Sequence, residues 1–221
     1  MKTALIILLL SAAFAQADMV IVQKVDASGQ SGEMTMKISG NKIRADISPE
    51  VSTITDAASG EVTTLNHAQK SYMVFSAGSA RAMMEQMKKV MQQSGSEPSA
   101  SPAPPKATGK TDKINGCNAA EYTFTNGAMT ATYWISTDFP NAKAVTDALS
   151  KFQKGSLADM TRAFAPDLSA FPGVPVKTEV DMDGQKIVTE IISATEQPVD
   201  PSQYQVPAAY TQIKMPVLPQ P

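Results

Sequence analysis

The chain of 221 residues has one cysteine, one histidine and one tryptophan. One Cys and one His cannot build a Cys/His zinc site, a Cys-x-x-C redox pair or an internal disulfide. An excess of positive charge is also missing: 19 Lys+Arg face 21 Asp+Glu, a formal net charge of −2. That balance lacks the basic footprint of a nucleic-acid binder. Aromatic residues, at 6%, and charged residues, at 18%, are both sparse. What is plentiful is methionine, with 13, and proline, with 15.

One apolar run stands out, at the start. Met1-Lys2 is followed by Ala4–Phe14 (ALIILLLSAAF), and then by the small-x-small pattern Ala15-Gln16-Ala17 before Asp18. The run is short for a permanent membrane span and has the form of a signal peptide cleaved after Ala17. No cysteine follows the small residues, so a bacterial lipid anchor is not expected. Residues 18–221 are then a single exported domain, periplasmic or otherwise outside the cytoplasm. In an oxidising compartment the lone Cys117 has no intramolecular partner, and it reads as a small, partly buried hydrophobe near a strand start.

Alternation dominates the exported part. Met34, Met36 and Ile38 alternate with Thr35 and Lys37, and Ile43, Ala45 and Ile47 alternate with Arg44 and Asp46. That is the period of strands with one buried face. Turn chemistry separates them at Ser39-Gly40-Asn41, Ser59-Gly60, Asn126-Gly127 and Asp183-Gly184. The pattern predicts about nine or ten antiparallel strands rather than βαβ units.

Two segments switch period. In Ser79–Gln93, Met83, Met84, Met87, Val90 and Met91 fall on one helical face. After Pro140, Val145, Ala148, Leu149 and Phe152 do the same, with a further turn or two predicted from Ser156. Residues 94–108 are rich in Ser and Pro and read as a surface linker, while the Pro-rich tail 197–221 is expected to wrap the surface. The economical fold is α+β: one curved antiparallel sheet with the helices packed on its concave face.

Catalytic and metal patterns fail on inspection. Gly109-Lys110-Thr111 ends like a phosphate loop, but position 104 is Pro where Gly is required. Asp181-x-Asp183-Gly184 places its glycine too early for a calcium loop and reads as a hairpin turn. His67 lies in Asn66-His67-Ala68-Gln69-Lys70, which looks like an exposed connection with no nucleophile marked nearby. No enzyme activity and no cofactor is expected. The Met face could offer thioethers to Cu(I), yet Met at helical spacing more commonly supplies adaptable packing.

Three patches carry a family resemblance: Met36-Lys37-Ile38-Ser39-Gly40-Asn41-Lys42-Ile43-Arg44 with Asp46; Ile114–Tyr122 running into Tyr133-Trp134-Ile135-Ser136; and Tyr204–Tyr210. Together they resemble an uncharacterised domain family of exported bacterial proteins, similar to the LolA-like periplasmic lipoprotein carriers and lipid-binding proteins. The resemblance implies an unclosed β-barrel holding a hydrophobic cavity lidded by helices, and no catalytic residues. The leading expectation is a non-enzymatic periplasmic binding protein for an acyl chain, lipid or lipoprotein segment. Its cavity would be lined by Met34, Met36, Ile38, Ile43, Ile47, Met83, Met87, Met91, Val145, Leu149 and Phe152. The alternative is a structural or protein-interaction component of the cell envelope with a self-filled core.

Overall fold

A computed structural model describes residues 18–27, 29–79, 82, 103–126, 129–153, 165–182 and 184–213. The alternating segments form β1 (Met19–Ala27), β2 (Gln30–Ser39), β3 (Lys42–Asp46), β4 (Val51–Asp56), β5 (Glu61–Asn66) and β6 (Ser71–Phe75). After residue 105 come β7 (Lys106–Ile114), β8 (Cys117–Asn126) and β9 (Met129–Ser136). Then follow the helix α1 (Ala142–Leu149), β10 (Val174–Met182), β11 (Gln185–Glu196) and the two-residue β12 (Thr211–Gln212). The twelve strands make one curved, unclosed sheet in the order β12-β6-β5-β4-β3-β2-β1-β11-β10-β9-β8-β7.

Two meanders therefore meet at the centre. β1 to β6 run outward on one side, β11 back to β7 on the other, and β1 pairs antiparallel with both β2 and β11. Among the described strands only β12 is parallel to its neighbour, β6. β1 was not separable as a strand by alternation, and its burial explains why. Met19, Val20 and Ile21 are all buried, so both faces of this central strand are covered and the apolar run is continuous. The other surplus strand, β12, is too short to leave a pattern.

Hairpin turns follow local chemistry. Ile114 pairs with Cys117 across Asn115 (φ 46°) and Gly116 (φ 84°), the double positive φ of a type I′ turn, which Asn-Gly tolerates best. β10 and β11 also form a hairpin, since Met182 pairs with Gln185. β7 begins at Lys106, so the last three residues of the expected 94–108 linker belong to the sheet.

Register assigns the faces. Met19 sits opposite Ile38, and Ile38 opposite Ile43, so these three share one face, with Ile21 and Met36 a pleat away. α1 packs there: its Val145 and Ala148 join Met19, Ile21, Met36, Ile38, Ile43, Val174, Val176 and Ile191 in the main core cluster. Its opposite side is solvated and carries the Lys143–Asp147 pair at 2.6 Å. Lys37 and Arg44 are likewise paired across β2 and β3, on the other face. A second cluster gathers Phe124, Met129, Ala131, Tyr133 and Ile135 under Phe171, whose ring meets Tyr122 edge-on at 5.4 Å between centroids. The segment expected to be a signal peptide, the Met-rich residues 83–93 and the turn expected from Ser156 lie outside the described residues.

Candidate binding site and the C-terminal strap

Six of the residues expected to line a cavity come together. Met36, Ile38, Ile43 and Val145 are buried in the main cluster, and Met34 and Leu149 pack against it. Among the described residues these six pack against one another. Ile47 does not join them: it lies just past the end of β3 and is 48% exposed, because its backbone turns there, with Ile47 N–H donating to the Val51 carbonyl at 3.0 Å. Met83, Met87, Met91 and the Phe152 side chain lie outside the described residues.

Beside α1 a cleft of about 240 Å³ remains, floored by Met19, Ile38, Ala144 and Ala148 and rimmed by Asp147, Lys151 and Glu196. A wider recess of about 410 Å³ lies over β8 and β9, edged by Thr111, Asp112, Asn118 and Thr137. None of the expected residues lines it. Cys117 opens β8 half-buried, packed against the main cluster, as a small hydrophobe would be.

The opposite face holds a polar network that the sequence did not announce. Asp46 accepts from Lys37 Nζ at 2.8 Å, from Arg44 Nε at 2.6 Å and from Ser52 Oγ at 2.7 Å. Burial alone would raise the Asp46 pKa, but these three donors outweigh it and hold the carboxyl below its ordinary range. Ser52, 1% exposed, also meets Arg44 Nη2 at 3.1 Å and His67 Nε2 at 2.7 Å. His67 Nδ1 lies 2.7 Å from the Tyr210 hydroxyl.

A serine and a histidine 2.7 Å apart invite a catalytic reading, and proton accounting removes it. A carboxylate can only accept, so the Ser52 proton goes to Asp46. Ser52 Oγ then accepts a hydrogen bond from His67 Nε2–H, and His67 Nδ1 accepts one from the Tyr210 hydroxyl. The acid orients the serine instead of the imidazole, the reverse of a hydrolytic triad. His67 is half-buried rather than exposed, and it serves as a bracket between the sheet and residue 210. Among the described residues no group of His, Cys, Asp or Glu gathers as a metal site.

What the bracket holds is the C-terminal strap, residues 197–213. It starts at Asp18, whose carbonyl accepts from Gln197 N–H at 2.9 Å and whose carboxylate accepts from Val199 N–H at 2.8 Å. A 3₁₀ turn, Pro201–Tyr204, then lies on β3, capped by the Asp200 side chain. The Gln203 side chain accepts from Lys37 at 3.1 Å and its carbonyl from Arg44 Nη1 at 3.0 Å. Beyond Tyr210, β12 joins β6 through Thr211 N–H to the Lys70 carbonyl and Ile213 N–H to the Tyr72 carbonyl. One group is poorly served. The Tyr204 hydroxyl is buried with no hydrogen-bond partner, and burial, aided by the Asp18 charge, pushes its pKa up to about 12. An unsatisfied buried hydroxyl costs about 1–3 kcal/mol.

Strands β1 to β11 and the strap as far as Tyr210 fall within residues 18–210, and those residues match a family model described as a domain of unknown function, DUF4412. The chain belongs to this family. The resemblance to an uncharacterised domain family is thereby borne out. A search of curated proteins finds no match to this DUF4412 chain. Among solved structures, it is similar to PNGF-II in a P21 crystal form, at 13% identity and TM-score 0.43, covering 90% of this chain and 32% of that one. It is similar to the Pseudomonas aeruginosa MucA/MucB complex structure at 10% identity and TM-score 0.39, covering 88% and 57%. It is also similar to a DUF1329 family protein from Desulfovibrio piger ATCC 29098, at 7% identity and TM-score 0.33, covering 87% and 91%. The chain thus spans about a third of the PNGF-II chain it matches. Likenesses this remote carry no argument about its activity. Among the described residues no helix is long and apolar enough to cross a membrane.

Proposed function

We propose that the chain is an exported, non-enzymatic interaction module of the cell envelope, acting through its sheet surfaces around a self-filled core. The observation carrying this reading is the fate of the expected cavity wall. Met36, Ile38, Ile43 and Val145 are at most 7% exposed and pack together. The cleft left beside α1, about 240 Å³, falls short of the roughly 300–1,000 Å³ of ordinary ligand pockets. The proton arrangement at Ser52 and His67 supports a holding role for that pair. The test is titration of the purified mature protein with a fluorescent fatty acid, alongside site-specific photo-crosslinking in intact cells. The module reading expects no saturable uptake and a discrete cross-linked protein. Saturable one-to-one uptake with no cross-link would overturn it.

A second reading, binding of an acyl chain, lipid or lipoprotein segment, is favoured by the apolar floor of the same cleft. Met19, Ile38, Ala144 and Ala148 line it, and the Met-rich segment follows β6 in sequence. Native mass spectrometry of protein extracted gently from the envelope decides it, with retained lipid mass expected on this reading alone.

A further inference from the structure

The strap is an imperfect occupant of the site it covers. Lys37 and Arg44 both reach Gln203, and Asp46 is the one acid bonded to either of them, so the pair keeps an excess positive charge against a neutral side chain and a carbonyl. Neutral acceptors make weaker bonds to ammonium and guanidinium groups than carboxylates do. Tyr204 enters the contact with its hydroxyl unmatched. The strand portion amounts to two residue pairs, Thr211 with Ser71 and Gln212 with Tyr72. Every strap residue from 197 to 213 is half-exposed or exposed, and Leu65 and Ser52 on the underlying face are 0% and 1% exposed. The floor of the acceptor is buried; the occupant is peripheral and electrostatically mismatched.

We propose that this face is a docking site for an extended acidic segment of a partner protein, and that the strap is its self-supplied placeholder. The segment would place a carboxylate where Gln203 lies, between Lys37 and Arg44. A tyrosine seven residues later would meet His67 Nδ1, and its following residues would run parallel to β6. Addition of a strand at a sheet edge supplies backbone bonds, and the side-chain positions supply selectivity. A second copy of this chain is a poorer occupant, since its strap brings the same glutamine and the same unmatched Tyr204. This inference rests on the interaction-module reading and names the face that does the interacting.

The test uses the full mature chain carrying Tyr210→Ala, which loosens the strap in place. Two labelled peptides spanning residues 200–213 are titrated by fluorescence anisotropy, one of native sequence and one with Gln203→Glu. The acidic peptide is expected to bind on the order of tenfold more tightly, an advantage that shrinks with added salt and disappears when Lys37→Ala is introduced. Equal affinities would overturn the acidic preference, and no binding of either peptide to chain shown folded by circular dichroism would overturn the site. If Tyr210→Ala does not fold, Gln203→Glu in the otherwise native chain must slow hydrogen exchange at the Thr211 amide; no change overturns the proposal. Peptide failure beside a surviving cross-link would remove this site and leave the module reading standing. Loss of both would remove the reading itself.

Discussion

The two faces of the sheet are covered by opposite kinds of chemistry. Under α1, Val145 and Ala148 settle on Met19, Ile21, Ile38 and Val174, and no side chain there needs a particular partner atom. Under the strap, nearly every contact is a directed bond: Lys37 and Arg44 to Gln203, His67 to Tyr210, Asp18 to Val199. Apolar burial is non-directional and scales with area. Directed bonds exchange with water, so each contributes little net stability while fixing geometry closely. One face consequently supplies stability, and the other supplies position. An element held in the second way can be displaced without unfolding the first.

The sharpest break in this contrast is Ile21→Ala on the α1 face. Ile21 is fully buried, and its truncation is expected to cost about 2–5 kcal/mol in urea-induced unfolding. Arg44→Ala comes next. It strips a donor from Asp46, from Ser52 and from the Gln203 carbonyl, and is expected to cost about 1.5–3 kcal/mol. Unlike the first variant, it should release the strap before the sheet, seen as faster hydrogen exchange at Thr211 and Ile213 than in the central strands.

Acid should weaken the strap face. Asp46 titrates below its ordinary value of 3.8 in the folded chain, so its contribution is complete above that pH and is lost as pH falls through the lower folded value. Asp46→Asn is expected to flatten this part of the acid limb, measured as the difference in stability from the parent below about pH 4. A smaller effect belongs to Tyr210→Phe, which removes one bond to His67 and should cost about 0.5–1.5 kcal/mol, read as easier proteolysis of residues 197–213. Smallest, and of opposite sign, is Tyr204→Phe. Removing a hydroxyl that has no partner should leave stability unchanged or raise it by up to about 1 kcal/mol, measured as thermal midpoint.

Much of the sheet was legible because its strands have one buried face. β2 and β3 hold the alternation read at Met34–Ile38 and Ile43–Ala45, and Met36, Ile38 and Ile43 sit on the face their spacing assigned. β1 escaped because it is covered on both sides, and β12 because two residues carry no periodicity. Ile47 misled for a related reason: its parity continues β3, but the backbone has already left the sheet. The strap network was invisible to pattern reading. Asp46 and Ser52 lie on neighbouring strands, whereas Tyr210 is 143 positions from His67. Polar groups that meet only through topology leave no spacing signal. The one hint was composition: a lone histidine and a late tyrosine, each in a segment dense with turn residues.

The pairing of β1 with β11 also sets the order in which the molecule can form. β2 follows β1 at once and can hydrogen-bond one of its edges by local collapse. The other edge waits for Ile187–Glu196, which appear near the end of the chain. Contacts so distant in sequence form slowly, after the entropy of closing a long loop has been met. Until then the apolar run Met19-Val20-Ile21-Val22 of β1 lies on an open edge, the state most prone to pairing with other chains. A chain threaded outward from its N-terminus would have its central seam closed last, so its vulnerable interval lasts nearly as long as its passage.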